Sequence, residues 1–295
     1  MPTLLDFRRR IRSVKNTQQI TRAMKFVAAA RLRRAQESAL AARPYALELA
    51  RLLRSTMSRI AAANDQAQHP LLAKRPEERI LVIVLSGERG LAGAFNTNIL
   101  KKANEFLRAH RDKKLSVIPV GKKGRDSLKK AGFTFAAEYI NVLAKVEFHT
   151  AREIASLVSD LYSKEEIDGV YVVFSEFKSV MTANLNVEKL LPVEPEQAPN
   201  ESPAEQASAQ VDYIYEQPEG QLLGKLLPKY VEAQLLRAML ESSASEYAAR
   251  MTAMESATRN AGEVIQALTL HMNKVRQAAI TREIIEIVSG ASSTA

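Results

Sequence analysis

The chain has 295 residues, with 42 Lys and Arg against 33 Asp and Glu and no cysteine. The missing thiols exclude disulfides, thiolate metal sites and cysteine nucleophiles, and no window approaches the roughly 20 consecutive apolar residues of a membrane span. Four scattered histidines, His69, His110, His149 and His271, stand at no metal-ligand spacing, so neither metal chemistry nor histidine catalysis finds support.

From the N-terminus, Met1-Pro2-Thr3-Leu4-Leu5-Asp6 lacks the apolar run and cleavage site of a secretory signal, and the chain is expected to stay where it is made. Thr3 and Asp6 resemble a capping box that starts a helix near residue 4. Leu4, Ile11, Val14, Met24, Val27, Ala28, Leu32 and Ala35 recur at threes, fours and sevens, an apolar seam on a polar helix. Pro44 is expected to bend this helix rather than end it, because Leu47, Leu49, Leu52 and Leu53 carry the apolar content on to about residue 60. The same segment holds 14 basic and 3 acidic residues, while the rest of the chain is nearly balanced. Arg8-Arg9-Arg10-Arg12 and Arg31-Arg33-Arg34 suit phosphates, an acidic protein cavity or plain solvation. No aromatic residue interleaves them as a single-strand binder requires.

The middle has another rhythm. Ile80–Leu85, Leu115–Val120 and Gly169–Phe174 read as buried strands, and stretches near 96–111, 125–131 and 150–162 as helices. Alternation of this kind implies an open, largely parallel, Rossmann-like sheet. The turn Ser86-Gly87-Glu88-Arg89-Gly90-Leu91-Ala92-Gly93 is Gly-rich, but its G-x-x-G-x-x-G spacing matches neither phosphate-binding pattern. A tight structural turn is favoured there over a nucleotide site. Residues 192–210, with Pro192, Pro195, Pro199 and Pro203 among Glu, Gln, Ser and Ala, read as a loosely ordered loop.

Beyond Pro228, Ala233, Leu240, Tyr247, Met254, Ala261, Leu268 and Val275 fall at strict sevens. Leu236, Ala257, Val264 and Ala278 add a second line three residues on, interrupted by Ser243, Arg250 and His271. A heptad this sustained predicts a coiled-coil helix from 229 to 288, paired with the first helix. Near its end, Arg276, Gln277, Thr281, Arg282 and Glu283 are polar, and Ile284, Ile285, Ile287 and Val288 form an apolar tip that calls for a partner. The expected division is a coiled-coil helix over 1–60, an α/β domain over 61–218 and a second coiled-coil helix over 219–295.

Arg276-Gln277-Ala278-Ala279-Ile280-Thr281-Arg282-Glu283-Ile284 with Glu286-Ile287-Val288-Ser289-Gly290-Ala291 resembles the closing motif of ATP synthase gamma subunits. Ile11 to Met24 with Val27-Ala28-Ala29 resembles the family's opening helix, and Gly90-Leu91-Ala92-Gly93-Ala94-Phe95-Asn96 its central turn. The loop at 192–210 looks longer than usual, and the cysteine-containing insert of chloroplast members is absent, favouring a bacterial origin. The resemblance implies a non-catalytic rotor shaft without cofactor, present once per complex. Its partners would be alpha, beta and epsilon subunits and a c-ring, and it would reach the cytoplasmic face of the inner membrane only through that complex. Carried over, Met24, Lys25, Arg276, Gln277 and Thr281 would meet the beta subunits, and Ile284, Ile285, Ile287 and Val288 would occupy an apolar bearing. The rival readings are a basic coiled coil that binds nucleic acid and a nucleotide-binding enzyme on the α/β domain.

Overall fold

Ile80–Leu85 is apolar throughout because it is the inner strand of a sheet covered on both faces. The computed structural model describes residues 3–62, 69–194 and 219–293, the side chains at 58–62, 219 and 290–293 excepted. In chain order the elements are α1 (Leu4–Ala62), a 3-10 turn (Pro70–Leu72), β1 (Arg79–Leu85), α2 (Phe95–Ala109), β2 (Lys114–Val120), α3 (Lys122–Lys130), α4 (Phe148–Ser163), β3 (Gly169–Phe177), β4 (Ala183–Leu191) and α5 (Glu219–Ser293). The chain divides into two compact units, one formed by Arg31–Ala249 and the other by Met1–Ala30 with Arg250–Ala295.

In the larger unit the strand order is β2-β1-β3-β4, with β1 parallel to β2 and β3, and β4 antiparallel to β3. Side chains alternate across β1. Ile80, Val82 and Val84 pack with Ile99, Ala103 and Leu107 of α2 and Leu128 of α3. Leu81, Ile83 and Leu85 face the opposite layer, built from Ile154, Ala155 and Val158 of α4, Leu49 and Leu53 of α1, and Leu227, Val231 and Leu235 of α5. Each such buried aliphatic side chain contributes roughly 1.5–3 kcal/mol.

Three expectations change. Ala183–Leu191 forms a fourth strand, unforeseen because its Asn184, Asn186, Glu188 and Lys189 suit an edge half open to water. The last helix begins at Glu219, ahead of residue 229, and contains Pro228. Proline removes one N–H, which a partly exposed first stretch of helix tolerates; exposed Pro44 inside α1 is accommodated likewise. Finally, residues 238–248 of α5 are buried all round rather than along one seam. Small side chains permit this close approach, and two of the three serine hydroxyls find partners: Ser243 Oγ donates to the Leu143 carbonyl at 3.0 Å, and the Ser175 and Ser245 hydroxyls lie 2.8 Å apart, while buried Ser242 Oγ has none. Most of the expected 192–210 loop lies outside the described residues.

Two buried carboxylates in this unit titrate in opposite senses. Asp168 accepts from Arg79 Nε at 3.0 Å, Arg79 Nη2 at 2.7 Å and the Arg79 amide at 2.9 Å. Those bonds hold its pKa below the usual carboxylate range, against the effect of burial. A depressed pKa gives stability that is present above the unfolded carboxylate pKa and lost as pH falls through the folded one. Asp168→Asn should cost about 1.5–3 kcal/mol at neutral pH, with the gap to wild type closing under acid in urea melts. Glu241 is the reverse case. It is only 3% exposed, its Oε2 has no hydrogen-bond partner, and Arg43 Nη2 stands 3.9 Å away. Burial raises its pKa, with Arg237 and Arg43 opposing. A raised carboxyl pKa costs stability increasingly as pH climbs past the unfolded value. Glu241→Gln should therefore raise the melting temperature at pH 8 and leave it nearly unchanged at pH 4.

In the smaller unit the two helices run antiparallel. Phe7 meets His271 with ring centroids 5.0 Å apart, Gln18 reaches the Thr258 carbonyl, and Lys25 meets Glu255. Thr3 and Asp6 close the anticipated capping box, Thr3 N–H to Asp6 Oδ2 at 2.9 Å and Asp6 N–H to Thr3 Oγ1 at 3.3 Å. The heptad line is buried at Met254 and Ala261 and half-buried at Leu268 and Val275. Its companion line lies four residues on, at Thr258, Ile265, Met272 and Ala279, all partly buried, rather than three. Val264 is 46% exposed, and on α1 Val27 is 55% exposed while Ala28 is buried. In a seven-residue repeat a line continues with a step of three or four according to the side from which its partner packs.

Candidate functional site

The Gly-rich turn after β1 is the natural place to look for an anion site, because it faces the N-terminus of α3. The chain fills that N-terminus itself. Glu88 Oε2 accepts from the Lys122 amide at 3.1 Å, the Gly87 carbonyl from the Lys123 amide at 3.1 Å, and Ser86 Oγ from the Gly124 amide at 2.7 Å. The other Glu88 oxygen takes the Val142 amide at 3.1 Å, and Gly87 N–H donates to Asn96 Oδ1 at 2.8 Å. Donors that would hold a phosphate are occupied by the turn's own acceptors, so this segment is an internal joint between β1, α2 and α3. Among the described residues no group of three or more His, Asp or Glu is arranged to hold a metal, and no helix is long and apolar enough to cross a membrane.

The expected contact residues lie on the helix pair of the smaller unit, in two bands. Lys25 belongs to the first. Its Nζ pairs with Glu255 at 2.6 Å, and this hydrogen bond keeps the Glu255 pKa low. The ammonium is thus shared with α5 rather than freely presented, and Met24 beside it is half-buried. Around this level Gln18, Gln19, Arg22, Phe26, Thr258, Arg259 and Gly262 line an open notch of about 670 Å³. Sequence reading missed Arg22, Phe26 and Arg259 as surface groups here. Phe26, 61% exposed, was the available signal, an aromatic off the seam on a polar helix.

The second band is the end of α5. Arg276, Gln277 and Thr281 are exposed, and the Thr281 hydroxyl donates back to the Gln277 carbonyl at 3.0 Å. Ile280, Ile284, Ile285, Ile287 and Val288 are all exposed. The cause is the register: with Phe7 opposite His271, the first residue of α1, Leu4, stands level with about residue 274, so α1 does not run alongside the end of α5. Glu255, level with Lys25, is 21 residues from Arg276, so the two bands lie roughly 30 Å apart along the helix. The expected contact residues are therefore two separate surfaces and form no single cluster.

Comparison with known proteins gives this surface a setting. A family model described as ATP synthase matches residues 3–294. The ATP synthase gamma chain of Solibacter usitatus is 51% identical over 294 residues, 99% of each chain. The chain belongs to the ATP synthase gamma-chain family. Gamma chains of Pelotomaculum thermopropionicum and Desulforamulus reducens are 45% and 47% identical, again over 99% of each chain. Among solved structures, a chain of the Euglena gracilis mitochondrial ATP synthase resembles this fold with a TM-score of 0.67 at 20% identity, covering 99% of this chain and 94% of that one. A central-stalk chain of the Tetrahymena thermophila enzyme gives 0.59 at 22% identity, covering 81% and 99%. The role of the family is that of the central stalk, a non-catalytic subunit of a membrane-associated complex whose catalytic sites lie on the beta subunits. Nothing in these likenesses supports the nucleic-acid reading of the basic arm.

Proposed function

We propose that this chain is the turning shaft that couples ion flow through a c-ring to the beta subunits, with alpha, beta and epsilon subunits as its partners and one copy per complex. The observation that carries the reading is the end of α5, where five large aliphatic side chains stand in water beyond the reach of α1. A soluble surface does not keep such a group uncovered without a partner. Ile284, Ile285, Ile287 and Val288 form the apolar bearing, a contact that is non-directional and so holds no single angle. Arg276, Gln277 and Thr281 supply directional bonds beside it, each charged one contributing about 1.5–3 kcal/mol. Met24 and Lys25 form the other contact band, with Lys25 acting while held by Glu255. Rotation then biases the three beta sites because each orientation of the shaft binds their conformations unequally. The chain meets the membrane, at the cytoplasmic face of a bacterial inner membrane, only through the complex.

The test is co-purification from membranes with a tagged chain, followed by an ATPase assay. Alpha, beta and epsilon subunits with ATPase activity are the expected result. A chain recovered alone would overturn the reading.

A further inference from the structure

Inside the larger unit α5 has a smooth stretch. Ser242, Ser243, Ala244, Ser245 and Ala248 are small and buried, so this part of the helix raises few ridges for its neighbours to interlock with. Apolar burial alone holds such a rod in place without fixing its angle, because the force is non-directional. Hydrogen bonds fix an angle, since they weaken steeply as donor and acceptor turn out of line. The stretch makes directional contacts on two sides. Arg237, Glu241 and Ser245 are spaced at four and share one face. Arg237 meets Glu188 of β4, Glu241 stands 3.9 Å from Arg43 of α1, and the Ser245 hydroxyl lies 2.8 Å from that of Ser175 on β3. Ser243 and Tyr247, also four apart, lie about half a turn round the helix. Their hydroxyls donate to the carbonyls of Leu143 and Ala144, each at 3.0 Å.

The carbonyls on the second side are themselves held. They follow Val142, whose amide donates to Glu88 Oε1 at 3.1 Å, and the other oxygen of Glu88 takes the Lys122 amide at 3.1 Å. The Gly-rich turn after β1 thus ties the loop ahead of α4 to the sheet, and that loop bonds α5. Contacts on opposite faces of one helix resist its turning in either sense. We propose that residues 237–247 of α5 form a torque grip, by which the α/β unit holds this helix against rotation about its own axis. The inference deepens the shaft reading and rests on it. Because α5 continues unbroken to Ser293, the stiffness of the grip decides how much of a turning force on the α/β unit reaches the residues further along the helix. Ser243, Ser245 and Tyr247 are positioning residues that act through α5 on the contact residues it carries.

The test uses the assembled complex in sealed vesicles, with ATP hydrolysis and ATP-driven ion pumping measured on the same sample. Ser243→Ala, Ser245→Ala and Tyr247→Phe together remove three hydroxyls and leave the apolar bodies in place. Hydrolysis should stay near the wild-type rate, while ions pumped per ATP should fall at least about twofold, because bonds of one network fail together. A merely structural role lowers the melting temperature and leaves that ratio unchanged below it. Tyr247→Phe alone should move the ratio the same way by less, and it serves where the triple variant fails to assemble. The grip can then be restored without hydroxyls. The chain has no cysteine of its own, and side-chain oxygens 2.8 Å apart place Ser175 and Ser245 within disulfide reach. Ser175→Cys and Ser245→Cys, added to Ser243→Ala and Tyr247→Phe, should give a low ratio when reduced and nearly the wild-type ratio when oxidised. An unchanged ratio in the hydroxyl variants would overturn the proposal, as would a disulfide that fails to form or forms without restoring pumping. A wild-type complex that lacks alpha and beta subunits or does not pump would instead defeat the shaft reading, which separates the two failures.

Discussion

Ile285→Glu combined with Val288→Glu is expected to leave the melting temperature of the isolated chain within error of wild type and to lower ATP synthesis by the assembled complex at least about tenfold. Both side chains are exposed, and surface changes remote from any packed feature stay within about 0.5 kcal/mol of neutral. If the apolar end of α5 is covered in the complex, each aliphatic group loses about 1.5–3 kcal/mol of burial on replacement. Placing a carboxylate against an apolar wall adds a desolvation penalty. The loss should appear as poor assembly or as ATP hydrolysis uncoupled from ion transport. By contrast, Arg276→Ala removes at most one or two charged hydrogen bonds, about 1.5–3 kcal/mol each. Wild-type synthesis with both glutamates in place would remove the bearing from the mechanism and leave the polar contacts to carry the coupling.

Gly121→Ala should be a highly damaging single-methyl change, costing at least about 3 kcal/mol in urea melts. Gly121 has φ +107°, a region that side chains rarely adopt, and an added Cβ would stand 1.9 Å from the Ser86 carbonyl oxygen. That oxygen belongs to the backbone at the end of β1 and cannot swing aside. The movement would also break the joint in which Ser86, Gly87 and Glu88 satisfy the first amides of α3. Gly132→Ala is the control. Its φ is +82°, but nothing stands within 4 Å of the added carbon, so the cost should be only the backbone strain, about 1–2 kcal/mol. Equal costs at the two sites would mean that conformation alone, and not the approach of β1 to α3, requires glycine at 121.

Much of this was legible beforehand, because the signals were local. The apolar runs of β1, β2 and β3 declared buried strands without knowledge of their neighbours, since burial on both faces removes polar residues from both. Thr3 and Asp6 announced a helix start that needs only each other. The end of α5 was readable as an apolar tip because Ile284 to Val288 follow a polar stretch and lead into small, uncharged residues. β4 was not legible. An edge strand is stabilised by what pairs with it, and Asn184, Asn186 and Lys189 carry little strand preference of their own.

The family resemblance offered Lys25 as a contact residue, yet only the antiparallel register revealed Glu255 as its neighbour across the pair. The sequence by itself determined that two long helices bear heptad lines, that a largely parallel α/β sheet lies between them and that the last helix carries an aliphatic cluster at 284–288. Periodicity is a property of one helix, and a line at sevens survives whatever packs on it. Whether the companion line falls three or four residues on was decided by tertiary structure alone, because that step depends on the side from which the partner helix approaches.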